Sequence, residues 1–112
     1  MCARSAAGMP AGRYPLGEQV TVVETGRAPR LADGTLAGSG LTMSEAIRNA
    51  VTDGYSVAAA VEAATRVPAD LLGRPDLGRV RPGAWADLVW LAGDLSVRAV
   101  WRAGRQVFAA PR

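Results

Sequence analysis

The sequence predicts a mixed α/β chain whose elements run in the order hairpin, helices, small sheet, and whose fold is incomplete by itself. Three observations carry this. A short β-branched run at residues 19–24 stands between glycine- and proline-rich stretches. Apolar residues then recur at helical spacing through residues 43–64. From Gly78 onward β-forming segments return, ending in a hairpin. The regular βα alternation of a self-contained doubly wound or barrel domain is missing.

Each element has its own local reason. Gly8, Pro10, Gly12, Pro15 and Gly17 punctuate residues 1–18 so densely that this stretch is expected to be loop. Residues 19–31 are expected to form a β-hairpin turning at Thr25 and Gly26, and Asp33 with Gly34 marks a second turn. The small, glycine-rich stretch 34–40 leads straight into a helix. Thr42 and Glu45 have capping-box spacing, in which each side chain satisfies a free backbone N–H of the other. Met43, Ala46, Ile47, Ala50 and Val51 line one face of this helix, residues 43–53, which Gly54 ends. Ser56 is placed to cap a second helix, residues 57–66, whose apolar face carries Val57, Ala60, Val61 and Ala64. Pro68 suits only the first turn of a helix, so residues 68–72 are expected to form a separate short one, stopped by Gly73. The continuous apolar run Leu88, Val89, Trp90, Leu91 has the pattern of a buried strand, and residues 97–101 and 105–108 flank a turn at Ala103 and Gly104.

Composition narrows the function classes. At 112 residues the chain is one small domain at most. It is 49% hydrophobic and 21% charged, which is globular rather than disordered. All 13 basic residues are arginine, but they are scattered and lack interleaved aromatics, so the net charge of +3 does not point to nucleic acid. No run approaches the roughly 20 apolar residues of a membrane span, and the N-terminus has no apolar signal-like stretch, so the cytoplasm is the expected location. A single cysteine, Cys2, allows no internal disulfide. Histidine is absent, which removes the commonest metal ligand and the commonest general base.

Gly34, Thr35, Leu36, Ala37, Gly38 and Ser39, followed by Leu41, Thr42 and Met43 and then Arg48 and Asn49, form an order that resembles the N-acetylglucosamine-6-phosphate deacetylase family. Pro68, Ala69, Leu72, Gly73, Gly78, Val80, Gly83 and the stretch 86–89 resemble the wider amidohydrolase superfamily, as does the final hairpin around Trp101 and Gly104. The resemblance covers almost the whole chain but only about the last third of a family member. It implies the C-terminal part of a metal-dependent (β/α)8 barrel, with residues 1–73 ending the barrel and carrying the hairpin, and residues 74–112 supplying strands of a small β-sandwich. It also implies hydrolysis of the N-acetyl amide of an amino-sugar phosphate, to glucosamine 6-phosphate and acetate, with a divalent metal of zinc or iron type polarising the carbonyl.

The resemblance leaves this chain short of that chemistry. The family's catalytic aspartate falls at Cys2, and the metal-binding glutamate and histidines have no counterpart, so no catalytic or metal residue is expected here. The expected substrate-binding residues are Leu36, Ala37 and Gly38, where small side chains let the backbone approach a sugar. Alone, the chain is expected to be inactive, and to need an N-terminal portion, a homodimer partner, or both. A non-catalytic remnant, a binding module, and a piece of a dihydroorotase-like amidohydrolase are the alternatives. Asp87 is expected to hold structure rather than do chemistry, and Trp85, Trp90 and Trp101 to pack in the sheet region rather than stack on sugar. The helix faces of Ile47, Val51, Val57 and Val61 are expected to be left partly exposed without barrel strands to cover them.

Overall fold

A computed structural model describes residues 8–112. The chain divides into two compact units, one ending at Thr42 and the other running from Met43 to Arg112.

The first unit is an antiparallel sheet in the order β1 (Gly12–Leu16), β2 (Gln19–Val23), β3 (Arg30–Leu31). Strand β1 lies where loop is expected from the glycines and prolines. The alternation of burial along it, and the edge position that lets Pro15 dispense with an N–H donor, make the strand possible. Leu16 pairs with Gln19, leaving the two-residue turn Gly17–Glu18, and only Gly17 has positive φ (61°), the pattern of a type II′ hairpin turn. Between β2 and β3, the Arg27 N–H donates to the Glu24 carbonyl across a turn in which Gly26 takes φ 75°. Thr21 and Pro29 are the largest fully buried side chains, and the Thr21 hydroxyl is without a hydrogen-bond partner.

The second unit carries helices α1 (Met43–Thr52), α2 (Val57–Ala64) and α3 (Arg66–Leu71), then a three-stranded antiparallel sheet of β4 (Leu88–Leu91), β5 (Val97–Arg102) and β6 (Arg105–Ala109). Ser56 caps α2, its hydroxyl accepting the Ala59 N–H at 3.1 Å. The break before α3 falls at Thr65, whose φ and ψ of −126° and −80° leave the helical region. Pro68 then sits in the first turn of α3, where its missing N–H is harmless. No helix among the described residues is long and apolar enough to cross a membrane.

Two loops share one design. In each, an N–H and a carbonyl close a three-residue loop: Leu31 to Thr35 around Ala32, Asp33 and Gly34, and Ala92 to Ser96 around Gly93, Asp94 and Leu95. In each, the central aspartate accepts the N–H two residues on, Asp33 from Thr35 at 2.9 Å and Asp94 from Ser96 at 3.0 Å. The last loop residue must be left-handed. Glycine meets that need at Gly34 (φ 88°), whereas Leu95 (φ 64°) carries a side chain through it at a cost of roughly 1–2 kcal/mol. At the β5–β6 hairpin, Ala103 and Gly104 both take positive φ, and the Asp87 carboxylate accepts the Ala103 N–H at 2.8 Å. Asp87 is thus a brace for a turn, as its place in the sequence suggests.

Burial departs from expectation in two directions. Ile47 is buried where exposure is expected, while Val57 is exposed and Val51 and Val61 are half-buried, as expected. The strand β4 is not enclosed: Val89 and Trp90 are 56% and 62% exposed, and Trp85 is exposed too, so these tryptophans are not core residues of the chain. The buried apolar side chains of this unit are Ile47, Ala60, Ala69 and Ala99, a core made mostly of alanine. A three-stranded sheet with apolar residues on both faces needs a layer on each, and the helices pack consecutively on one another instead.

Candidate functional site

Residues 34–40 follow the second turn of the first unit and run back along β3. Leu31 donates its N–H to Thr35 (2.8 Å), Ala37 donates to the Pro29 carbonyl (2.8 Å), and Arg30 and Leu36 form an antiparallel bridge. The Arg30 guanidinium donates to the Gly34 carbonyl at 2.9 Å. Pro29 is fully buried under this return, and a Cβ at Gly40 would stand 3.3 Å from the Pro29 ring. The hydrogen bond from the Thr35 backbone holds the Asp33 carboxyl below its ordinary value, so the turn keeps a carboxylate acceptor.

The three expected substrate residues are brought together but face differently. Leu36 is 59% exposed, Ala37 is buried, and Gly38 is half-buried with φ 135°, a backbone conformation that suits glycine and strains other residues. The stretch therefore presents one apolar side chain beside bare main chain. The nearby cavity of about 220 Å³, lined by residues that include Val22, Ala28, Arg30, Leu31 and Gly34, and the one of about 310 Å³, lined by residues that include Arg13, Val20 and Ala32, touch none of the three. Composition gives no hint that Pro29 and Arg30 back the loop; only the Asp33–Gly34 turn signal, which folds residues 35–37 onto 29–31, points to it.

The second unit holds a polar network at the end of α3. Arg66 bridges Glu62 (2.7 Å) and Asp70 (2.9 Å), and Arg79 also pairs with Asp70. Arg74 grips Asp76 with two hydrogen bonds of 2.9 and 2.8 Å, and the Trp85 indole N–H donates to the same carboxylate at 3.1 Å. Arg74 above all holds the Asp76 carboxyl down at about 2. Each acid here faces a cation, so the network ties a loop together and offers no free general base.

Among the described residues no group of three or more His, Cys, Asp or Glu is placed to hold a metal ion. The described residues by themselves do not fit the divalent metal that the resemblance implies. Cys2, where the resemblance would put the family's catalytic aspartate, lies outside the described residues.

A model of the Amidohydrolase family matches residues 31–107, which take in this loop, the helices and nearly all of the second sheet. The chain belongs to the amidohydrolase family. Its relatives narrow the likeness within that family. It is 44% identical over 90 residues to an N-acetylgalactosamine-6-phosphate deacetylase of Shewanella sp. (strain ANA-3), covering 80% of this chain and 23% of that one. It superposes with a TM-score of 0.81 and 40% identity on the N-acetylglucosamine-6-phosphate deacetylase of Thermotoga maritima, over 95% of this chain and 29% of that one. With a variant of the Mycobacterium smegmatis N-acetyl-D-glucosamine-6-phosphate deacetylase, solved in complex with N-acetyl-D-glucosamine-6-phosphate, it shares 42% identity and a TM-score of 0.73 over 91% of this chain and 28% of that one. This amidohydrolase chain thus spans about a quarter of the length of these three relatives.

Proposed function

We propose that this chain forms the C-terminal portion of an N-acetylhexosamine-6-phosphate deacetylase and does not hydrolyse substrate alone. Residues 8–73 would close the (β/α)8 barrel and carry the hairpin, and residues 74–112 would add strands to the small β-sandwich. The reaction is hydrolysis of the N-acetyl amide, giving the amino-sugar phosphate and acetate. The single observation that carries the reading is the stretch 34–43, whose family-like sequence adopts a tight return with Leu36 exposed and Gly38 at φ 135°. In this role Leu36 supplies an apolar contact, and the main chain at Gly38 comes close to the sugar because no Cβ intervenes.

Exposure supports the idea that other chain covers these elements. In the second unit Met43, Tyr55, Val57, Val67, Leu71, Leu72, Val80, Trp85, Val89, Trp90, Val107 and Phe108 are all exposed. At about 1.5–3 kcal/mol per fully buried side chain, covering them would add on the order of 15 kcal/mol, comparable to the whole net stability of a typical domain.

The test is a chimera in which residues 8–112 replace the matching C-terminal portion of the Thermotoga maritima deacetylase, leaving the host's upstream residues in place. Acetate release is measured with N-acetylglucosamine 6-phosphate and with its galactosamine epimer, since the relatives carry both names. Turnover by the chimera and none by the 112-residue chain is the expected result. A folded chimera that turns over neither epimer would sink the proposal and favour a non-catalytic role.

A further inference from the structure

The geometry points to Arg30 as a positioning residue for substrate binding, acting through the Gly34 carbonyl to hold the Leu36–Ala37–Gly38 return in its binding shape. This rests on the reading of that return as the sugar-contacting stretch. Three hydrogen bonds tie the return to residues 29–31. Two are main-chain bonds, the Leu31 N–H to Thr35 and the Ala37 N–H to Pro29, which together make the Arg30–Leu36 bridge and which any sequence in this register would form. The third, from the Arg30 guanidinium to the Gly34 carbonyl, depends on one side chain, and it acts at the residue where the chain must go left-handed, Gly34 at φ 88°. The Asp33 carboxylate fixes the other side of the same turn through Thr35. Side-chain locks on both flanks of a three-residue turn limit how far residues 35–38 can swing, and a return that is already shaped gives up less ordering entropy when a ligand docks. Among the described residues the Arg30 guanidinium forms no ion pair, and it donates to this carbonyl.

Lysine does not reproduce this contact. An ammonium on a flexible stem is a point charge, whereas the planar guanidinium carries its N–H at a fixed angle to the strand. Arg30→Ala and Arg30→Lys should therefore both loosen the return, Lys less. Asp33→Ala, on the opposite flank of the turn, should act in the same direction.

Two readouts test this in the active chimera described above. Hydrogen exchange at the Ala37 amide should quicken roughly three- to tenfold in Arg30→Ala, the fold-change of one hydrogen bond lost. KM for the amino-sugar phosphate should rise by a similar factor with kcat unchanged, and Asp33→Ala should repeat both effects. An unchanged Ala37 exchange rate overturns the proposal, as does quickened exchange with KM unchanged, the pattern of a merely structural role, or a fall in kcat with KM unchanged, the pattern of a chemical role. If the unsubstituted chimera is inactive, the deacetylase reading fails, while Ala37 exchange in the Arg30 and Asp33 variants still decides whether Arg30 holds the return.

Discussion

Adding one methyl group at Gly78 should open the loop that closes α3, and the structure sets the size of the effect. Gly78 has φ 70°, so any side chain there starts with the roughly 1–2 kcal/mol cost of the left-handed region. A Cβ would also stand 2.5 Å from the Thr65 carbonyl oxygen, 2.7 Å from its carbon and 3.0 Å from Ala69 Cβ. The first two are backbone atoms at the α2–α3 break and cannot swing aside as a side chain would. Overpacking adds about 1–3 kcal/mol, for a total of roughly 2–5 kcal/mol.

Gly83→Ala is the matched control. Gly83 also has positive φ (88°), but a Cβ there meets nothing within 4 Å, so only the conformational cost applies. The assay is hydrogen exchange in the chimera, read at the Ala69, Arg74 and Trp85 amides, which donate to Thr65, Ala69 and Asp76. Local opening free energies convert directly to exchange rates, at about tenfold per 1.4 kcal/mol. Gly78→Ala should accelerate these amides by roughly 30- to 3,000-fold and Gly83→Ala by roughly 5- to 30-fold. Equal acceleration by the two variants would refute the argument, because it would mean that the approach to Thr65 carries no weight.

Other consequences are simpler to check. Leu95→Gly should raise stability by about 1 kcal/mol in denaturant unfolding, since it gives the second three-residue loop the residue that Gly34 gives the first. Asp87→Ala should lower it by about 1 kcal/mol by removing the acceptor of the Ala103 N–H, with the amide of Ala103 exchanging faster. Asp76 titrates at about 2 when folded, below its ordinary 3.8, so its contribution is complete above about pH 4 and is lost as pH falls toward 2. The Trp85 indole N–H resonance should shift over that window, and in Asp76→Asn it should no longer do so. The 112-residue chain alone should self-associate with rising concentration, because Leu71, Leu72 and Val80 are 86%, 75% and 87% exposed. Sedimentation should show this weakened in the triple variant Leu71→Gln, Leu72→Gln, Val80→Thr.

What was legible in the sequence was local. Ser56, Pro68 and the Asp33–Gly34 and Ala103–Gly104 pairs each fix backbone geometry within a few residues, and the turns and the helix cap fall where they indicate. Strand β1 escaped because glycine and proline there mark an edge strand ending in a tight turn as well as they mark a loop. The site was legible only through its family-like motif. Nothing in the spacing of Leu36, Ala37 and Gly38 distinguishes a sugar-facing return from an ordinary glycine-rich turn. The Arg30 contact depends on a register that residues 29–31 do not announce.

The openness of β4 differs from what its sequence pattern predicts, for a reason that itself bears on function. Leu88, Val89, Trp90 and Leu91 form an unbroken apolar run, and such a run is the mark of a strand covered on both faces. In the chain that strand lies in a three-stranded sheet, with Val89 and Trp90 both largely open. Leu88 pairs with Trp101 and Val89 with Val100, so the apolar character continues across the sheet on both sides. A strand that had to be soluble on one face would alternate with polar residues, and β4 does not. Its sequence is suited to a sheet with a second layer, and the four-residue, alanine-dominated core of this unit does not provide one. Such a pattern suits a strand covered on both faces, as the proposed place of residues 74–112 in the sandwich of a full-length deacetylase requires.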